Sequence, residues 1–410
     1  MSKEKLLVQS EDVSNVKDLR QFNITKRVYI AFMSIFNVAD KIFGAIFTAF
    51  MNLVGLATSQ ISALFSIQEI LLAIFDYPTG TISDRIGRKR ITAYGLFVRG
   101  IGIIWFAYAT SFIMFLPSIV LMALGVALIS GAPSSWIIDH MIKDGVYDKR
   151  EQILPRISGL LQLGSIVASI IAYFLVDKSS KLAIVVAGIL HIIAGFVALI
   201  FGEDNYGKVK SNHFIKNLGT QFVDFIKEKR LIFLAIRNVV VYIPFAIFVI
   251  YWQIYAVDFL KIKAKYLSIY LLVFMVFLML GNYIVSFLTK KITGFMATMV
   301  GLVVTLLGFI ILFFSIDLVA FTIGACLIEL GFGIEQAATS TWSCDFVKSE
   351  TRATYSSIFS TIRSVVGAGL VLILGFIADK FSLGILWIIA GVAVIVDMII
   401  LRELGKKCGY

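Results

Sequence analysis

The feature that most limits this chain is a repeated alternation of long apolar runs, each closed by charges or turn residues. A helix of about 20 apolar residues matches the ~30 Å hydrocarbon core of a bilayer. Twelve runs of that kind fall near 28–52, 61–80, 91–110, 115–138, 154–176, 181–201, 231–256, 266–288, 295–315, 318–344, 353–378 and 383–401. The shallowest break between them is at Asp317. The chain is 59% hydrophobic and only 15% charged over 410 residues, where soluble domains have about 45–50% apolar and about 25% charged residues. A soluble fold of this size has no interior large enough for that surface. Soluble enzymes and nucleic-acid binders are therefore excluded, although the net charge is +11. The expected fold is an all-α integral membrane protein with twelve transmembrane helices.

The basic residues give the orientation. With the N-terminus inside, the inner segments hold 27 of the 37 lysines and arginines and the outer loops six: Lys178, Lys181, Lys261, Lys263, Lys265 and Lys380. The expectation is a multi-pass protein of the cell membrane with both termini cytoplasmic. Its basic face then meets an anionic inner leaflet, which explains the charge without nucleic acid. The first 27 residues are polar and charged, and the first apolar run is too long for a signal-peptide core. Cys326, Cys344 and Cys408 make no disulfide framework, and the two inside an apolar segment, Cys326 and Cys344, read as packing residues.

The chain divides into a cytoplasmic segment 1–27, six spans over 28–201, a linker 202–230, six spans over 231–401 and a tail 402–410. In the linker, Phe214, Leu218, Phe222, Phe225 and Ile226 form a helical apolar stripe, as expected of an amphipathic helix on the membrane surface. The two halves are weakly self-similar. At an offset of 206 residues Leu124, Gly125, Ala132, Ser134, Trp136 and Asp139 fall on Leu330, Gly331, Ala338, Ser340, Trp342 and Asp345. Two pseudo-symmetric six-helix bundles follow from that repeat.

Between the second and third spans stands Gly80-Thr-Ile-Ser-Asp84-Arg85-Ile-Gly87-Arg88-Lys89-Arg90, preceded by Asp76-Tyr77-Pro78-Thr79. This resembles the G-x-L-x-D-R-x-G-R-K signature of the major facilitator superfamily, in the cytoplasmic turn where that family carries it, and bacterial drug-efflux members in particular. The resemblance implies a secondary transporter. Asp76, Gly80, Asp84, Arg85, Gly87, Arg88 and Lys89 would then form a cytoplasmic gate. Asp84 is expected near the N-terminus of a helix in the other half, and Arg85, Arg88 and Lys89 on carboxylates or lipid phosphates. Two family patterns are missing. Leu121 stands where many members have the arginine of R-x-x-Q-G, and the fifth span has Gly159 and Gly164 without the Gly-Pro of proton-coupled antiporters.

Ionisable groups inside a span cost about 2.5–3.5 kcal/mol each on insertion scales, so they mark function or pairing. Asn37, Asp40 and Lys41 lie in the first span and Glu69 in the second; Gln162 lies in the fifth, and Trp252 and Gln253 end the seventh. Glu329, Glu335 and Gln336 lie in the tenth and Arg363 in the eleventh. These are the candidate substrate and proton residues of a cavity. Asp40 and Lys41 diverge by about 100° around the helix and should meet partners elsewhere. Arg363 is a candidate partner for a tenth-span glutamate. Arg99 reads as snorkelling or joining the gate, Asp397 as part of a structural pair, and His191 as packing. Burial favours the neutral form of a carboxyl, which suits proton exchange.

No glycine-rich nucleotide loop, HExxH helix or nucleophile cluster is present, and there are only three histidines. The chain is thus expected not to be an enzyme, to hold no metal and to use no cofactor beyond a proton or other ion gradient. The leading expectation is proton-coupled efflux of a small amphipathic or drug-like compound by a monomer working through alternating access. Import of a small polar or anionic solute is one alternative; a non-transporting membrane receptor or scaffold is another.

Overall fold

The computed structural model describes residues 3–203, 225, 227–343 and 352–408, with side chains at 21–75, 86–150, 152–203, 225, 227, 228, 230–343, 355 and 358–406. The described residues form fourteen α-helices and no strand. They are α1 (Lys3–Gly44), α2 (Phe47–Leu53), α3 (Thr58–Ile86), α4 (Arg88–Phe106), α5 (Phe112–Ile129), α6 (Ala132–Lys143) and α7 (Arg150–Lys178). There follow α8 (Ser180–Phe201), α9 (Lys229–Asp258), α10 (Leu267–Leu288), α11 (Gly294–Phe314), α12 (Leu318–Trp342), α13 (Arg352–Lys380) and α14 (Leu383–Cys408).

Fourteen helices make twelve spans because two spans are broken. The first divides into α1 and α2 at Ala45 and Ile46. The fourth divides into α5 and α6 where Gly131 takes a left-handed φ of 72° and Pro133 opens the next helix. Glycine alone adopts that φ without strain, and proline near a helix start gives up no bonded N–H. At the 206-residue offset Ala337 and Thr339 replace Gly131 and Pro133, and α12 runs unbroken. Asp317, at the shallowest expected break, is the N-cap of α12 and accepts from Ala320 N at 2.8 Å.

Eleven stretches are long and apolar enough to cross a membrane among the described residues. The remaining span, α4, has 19 residues and carries Arg88, Lys89, Arg90 and Arg99. Phe174, Ile200, Phe314 and Val319 are among many large apolar side chains left exposed, an arrangement suited to hydrocarbon rather than water. The expected linker helix lies outside the described residues, except that Phe225 is buried against Tyr355 and Phe359.

Two compact units result. One holds Met1–Gly44 and Ile74–Lys210, the other Ala45–Ala73 and Ser211–Tyr410. Residues 45–73, placed by the sequence with the first bundle, pack with the second unit because polar groups along α2 and α3 find their partners on α9 and α13. The repeat is visible inside both units. In α4 and α5, an added Cβ on Gly95 would lie 3.0 Å from Gly125 O and one on Gly102 3.0 Å from Met122 N. In α11 and α12, Gly301 faces Gly331 O at 3.0 Å and Gly308 faces Ile328 N at 2.8 Å. Each position is displaced by the same 206 residues. Glycine allows two backbones to touch, and that close packing substitutes for the hydrophobic driving force that lipid removes.

Candidate functional site

In the first unit three helices converge on a charge cluster. Arg99 of α4 pairs through its terminal nitrogen with Asp40 of α1. Its Nε donates to His191 Nε2 of α8 at 3.2 Å. His191 Nδ1 lies 2.8 Å from Ala187 O. The ring therefore donates at Nδ1 to the carbonyl and accepts at Nε2, which is the neutral tautomer. Gly125 lets α5 approach at this level, where an added Cβ would lie 2.7 Å from Arg99 N. Arg99 thus neither snorkels nor joins the gate, and His191 does more than pack. Asp40 meets a partner on another helix, as the helical divergence from Lys41 requires. Asn37 and Lys41 are half-buried, and Lys41 has no ion pair within 4 Å among the described residues.

The second unit has a drier cluster. Arg237 of α9 donates to Glu335 Oε1 of α12 at 2.6 Å, and its Nε lies 3.1 Å from Asp397 Oδ1 of α14. Thr339 Oγ1 also donates to Glu335, at 2.8 Å. The guanidinium stands 5.4 Å from the ring of Trp342. The tenth-span partner of the sequence reading was Arg363; the structure gives Glu335 to Arg237 instead, because Arg363 projects onto Tyr242. His191 and Asp397 are related by the same 206-residue offset, a signal that could have located both clusters.

A third constellation in that unit joins α3, α9 and α13. Glu69 accepts from Tyr242 Oη at 3.2 Å and from Ser364 Oγ at 2.9 Å. Arg363 stands 5.7 Å from the Tyr242 ring centroid. Toward the start of α3 the same face continues. Ser66 donates to Ala368 O, Ser62 shares a 2.7 Å hydrogen bond with buried Tyr251, and Asp379 accepts from the backbone N–H of Thr58 and Ser59, each at 3.0 Å. Gln253 accepts from Thr48 Oγ1 at 2.9 Å and Ala49 N at 3.1 Å, and Asn52 donates to Asp258 at 2.8 Å. Trp252 is buried edge-on against Phe274, 5.1 Å away. Asp379 caps the α3 N-terminus from another helix. Asp379→Ala is expected to cost about 1 kcal/mol of stability and to speed labelling of a cysteine placed at Ser59. Unchanged unfolding temperature and labelling would remove its role as a cap.

Of the remaining candidates, Gln162 and Gln336 are exposed on α7 and α12, and Glu329 is half-buried. The side chains of Asp76, Gly80, Asp84 and Arg85 lie outside the described residues. The backbone around them is helical to Ile86, and Gly87 turns with φ 103° and ψ 137°. Arg88 pairs with Asp139 of α6, the aspartate of the repeated Trp-x-x-Asp, and Lys89 Nζ donates to Gly202 O at 3.2 Å. Glu203 beside it accepts from Lys143 and from Gln21, the latter at 3.3 Å, and its carbonyl accepts from Trp136 Nε1 at 2.9 Å. The hydrogen bond from Lys143 holds the Glu203 carboxyl below its ordinary range. A depressed folded value means stability present above the unfolded value of about 4.3 and lost as pH falls through the folded one. The expected loss is about 0.2–1 kcal/mol, typical of a solvent-screened pair. Unfolding curves from pH 6 to 3 should show it in the wild type and not in Glu203→Gln.

A family model described as Major Facilitator Superfamily matches residues 29–371. An uncharacterized MFS-type transporter of Methanocaldococcus jannaschii is 31% identical over 137 residues, a third of the length of each chain. Among solved structures, the nucleoside transporter NupG superposes with a TM-score of 0.80 at 14% identity, over 93% of this chain and 99% of that one. A POT family transporter in complex with a thioalcohol-conjugated peptide gives 0.71 at 13% identity, over 95% and 96%. At these identities the likeness is one of fold.

Proposed function

The chain belongs to the major facilitator superfamily and is a multi-pass membrane protein; on that premise we propose that it is a secondary transporter that carries a small polar or anionic solute by alternating access. One observation carries the choice of solute. Asp40 is paired with Arg99, and Glu335 and Asp397 share Arg237. Lys41 and Arg363 are half-buried in spans without an ion pair among the described residues. Unpaired cations at such depth suit an anionic group. A nucleoside transporter and a POT family transporter in complex with a thioalcohol-conjugated peptide share the fold, and such ligands are compatible with this reading.

The remainder of the proposal is the cell membrane as location, cytoplasmic termini on the basic face, a monomer in contact with anionic lipid, and a proton gradient as the driving force. Asp40, Glu69, Glu329 and Glu335 are the acids that could carry the proton. The gating role of Asp76 to Lys89 is part of the same proposal. Efflux of amphipathic cations is the second reading; it is favoured by Glu69, whose two bonded partners are hydroxyls. Uptake into proteoliposomes tests the choice. Accumulation of labelled polar anions or zwitterions over quaternary-ammonium dyes supports the first reading, and the reverse supports efflux. Flux driven by a pH gradient that is unchanged in all four acid-to-amide variants removes proton coupling. No flux of any solute, with Asp40→Asn neutral in cells, indicates a scaffold.

A further inference from the structure

We propose that Glu69, Tyr242 and Arg363 form a binding site for a single small zwitterion, the carboxylate of the solute on Arg363 and its ammonium on Glu69. The inference rests on the polar-solute reading above and names its substrate class.

All three residues belong to one compact unit. Glu69 lies eleven residues along α3 from Thr58 and Arg363 seventeen from Lys380, roughly 17–25 Å of helix. In a bilayer core about 30 Å thick that puts Glu69 near the middle and Arg363 nearer the opposite face, both within the hydrocarbon. Two opposite charges at this depth should close on each other, since each alone costs about 2.5–3.5 kcal/mol on insertion scales. They do not. No ion pair within 4 Å joins them, and Arg363 Nε is buried without a hydrogen-bond partner.

The Tyr242 ring stands between them. Its hydroxyl is held by Glu69 and its face lies 5.7 Å from the Arg363 guanidinium. The ring has a fixed seat because Gly367, one turn beyond Arg363, has no side chain. An added Cβ there would lie 2.6 Å from Tyr242 Cε1. The separation of acid and base is thus built into the packing of α9 on α13.

What remains open on each side defines the ligand. A carboxylate has about four lone-pair sites, and Glu69 uses two on hydroxyls, which leaves room for ammonium N–H groups. A guanidinium offers a planar fork that fits a carboxylate bidentately. The ring between them can carry the apolar link of the solute on its face. An anion alone would leave Glu69 uncompensated, and a cation alone would leave Arg363 so. A zwitterion satisfies both and adds no net charge to the membrane interior.

The test uses the purified full chain and ω-amino carboxylates of two to six carbons, each with its methyl ester and its N-acetyl derivative. One chain length is expected to bind at least tenfold more tightly than both derivatives, and that length reads the gap between the charges. Arg363→Gln should remove the advantage over the ester, and Glu69→Gln the advantage over the N-acetyl form. Glu69→Asp keeps the charge, shortens the reach and should move the optimum to a longer probe; it serves where the glutamine variants do not fold. A wild type with no preference for any zwitterion overturns the site, as do variants that weaken all three probe types equally. If simple anions are bound and moved without that preference, the transporter stands and this site falls. If nothing is bound or moved, both fall.

Discussion

Arg237→Leu is expected to destabilise the protein by about 3–5 kcal/mol, the cost of breaking a buried ion cluster from one side. The reason is what it leaves behind. Arg237 is 4% exposed, Glu335 8% and Asp397 1%, and one guanidinium serves both carboxylates. Leucine fills part of the space but solvates neither acid. The loss should appear as a large drop in the unfolding temperature of the detergent-solubilised protein. Exchanging the acids as well, in Arg237→Leu with Glu335→Gln and Asp397→Asn, should recover most of it. A well-packed neutral cluster can match a buried ionic one, whereas a half-removed cluster cannot. A single variant within ~1 kcal/mol of the wild type would show that water reaches the acids.

The second large effect concerns packing and site together. Gly125→Val adds a Cβ that would lie 2.6 Å from Arg99 Cβ and 2.8 Å from Arg99 Cα. These atoms cannot swing aside as the end of a flexible chain can. The α4 and α5 backbones must separate, and overpacking of this kind costs about 1–3 kcal/mol. Arg99 moves with its backbone, away from Asp40 and His191, so transport should fall together with stability. Gly159→Ala is the control. It meets nothing within 4 Å and should raise stability by about 0.5–1 kcal/mol through helix propensity. Equal behaviour of the two variants would mean that the close α4–α5 crossing does not govern the fold.

The positions of the spans were legible because a bilayer imposes one length on every apolar run. The repeat was legible because close helix crossings need glycine at fixed intervals, as with Gly125 and Gly331. The break at Gly131 and Pro133 carries a turn signal that the apolar run around it conceals; the break at Ala45 and Ile46 carries no proline and was invisible. Partner choice was the least legible. Asp40 finds Arg99 across 59 residues, and Arg237 finds Glu335 across 98 and Asp397 across 160. Such pairings depend on the rotation and register of helices remote in sequence, whereas periodicity reports only which face of one helix a residue occupies. Thus the tenth-span acid expected for Arg363 belongs to Arg237, and Tyr242 and Asp379 were not singled out.

The contact of α2 and α3 with α9 and α13 includes side-chain hydrogen bonds of Thr48, Ser62, Ser66 and Gln253. Each hydrogen bond there contributes only about 0.5–1.5 kcal/mol net, because water offers nearly the same bond in exchange. Entering solvent can replace each of these hydrogen-bond partners. The serines of α3 thus give this contact a wettable component.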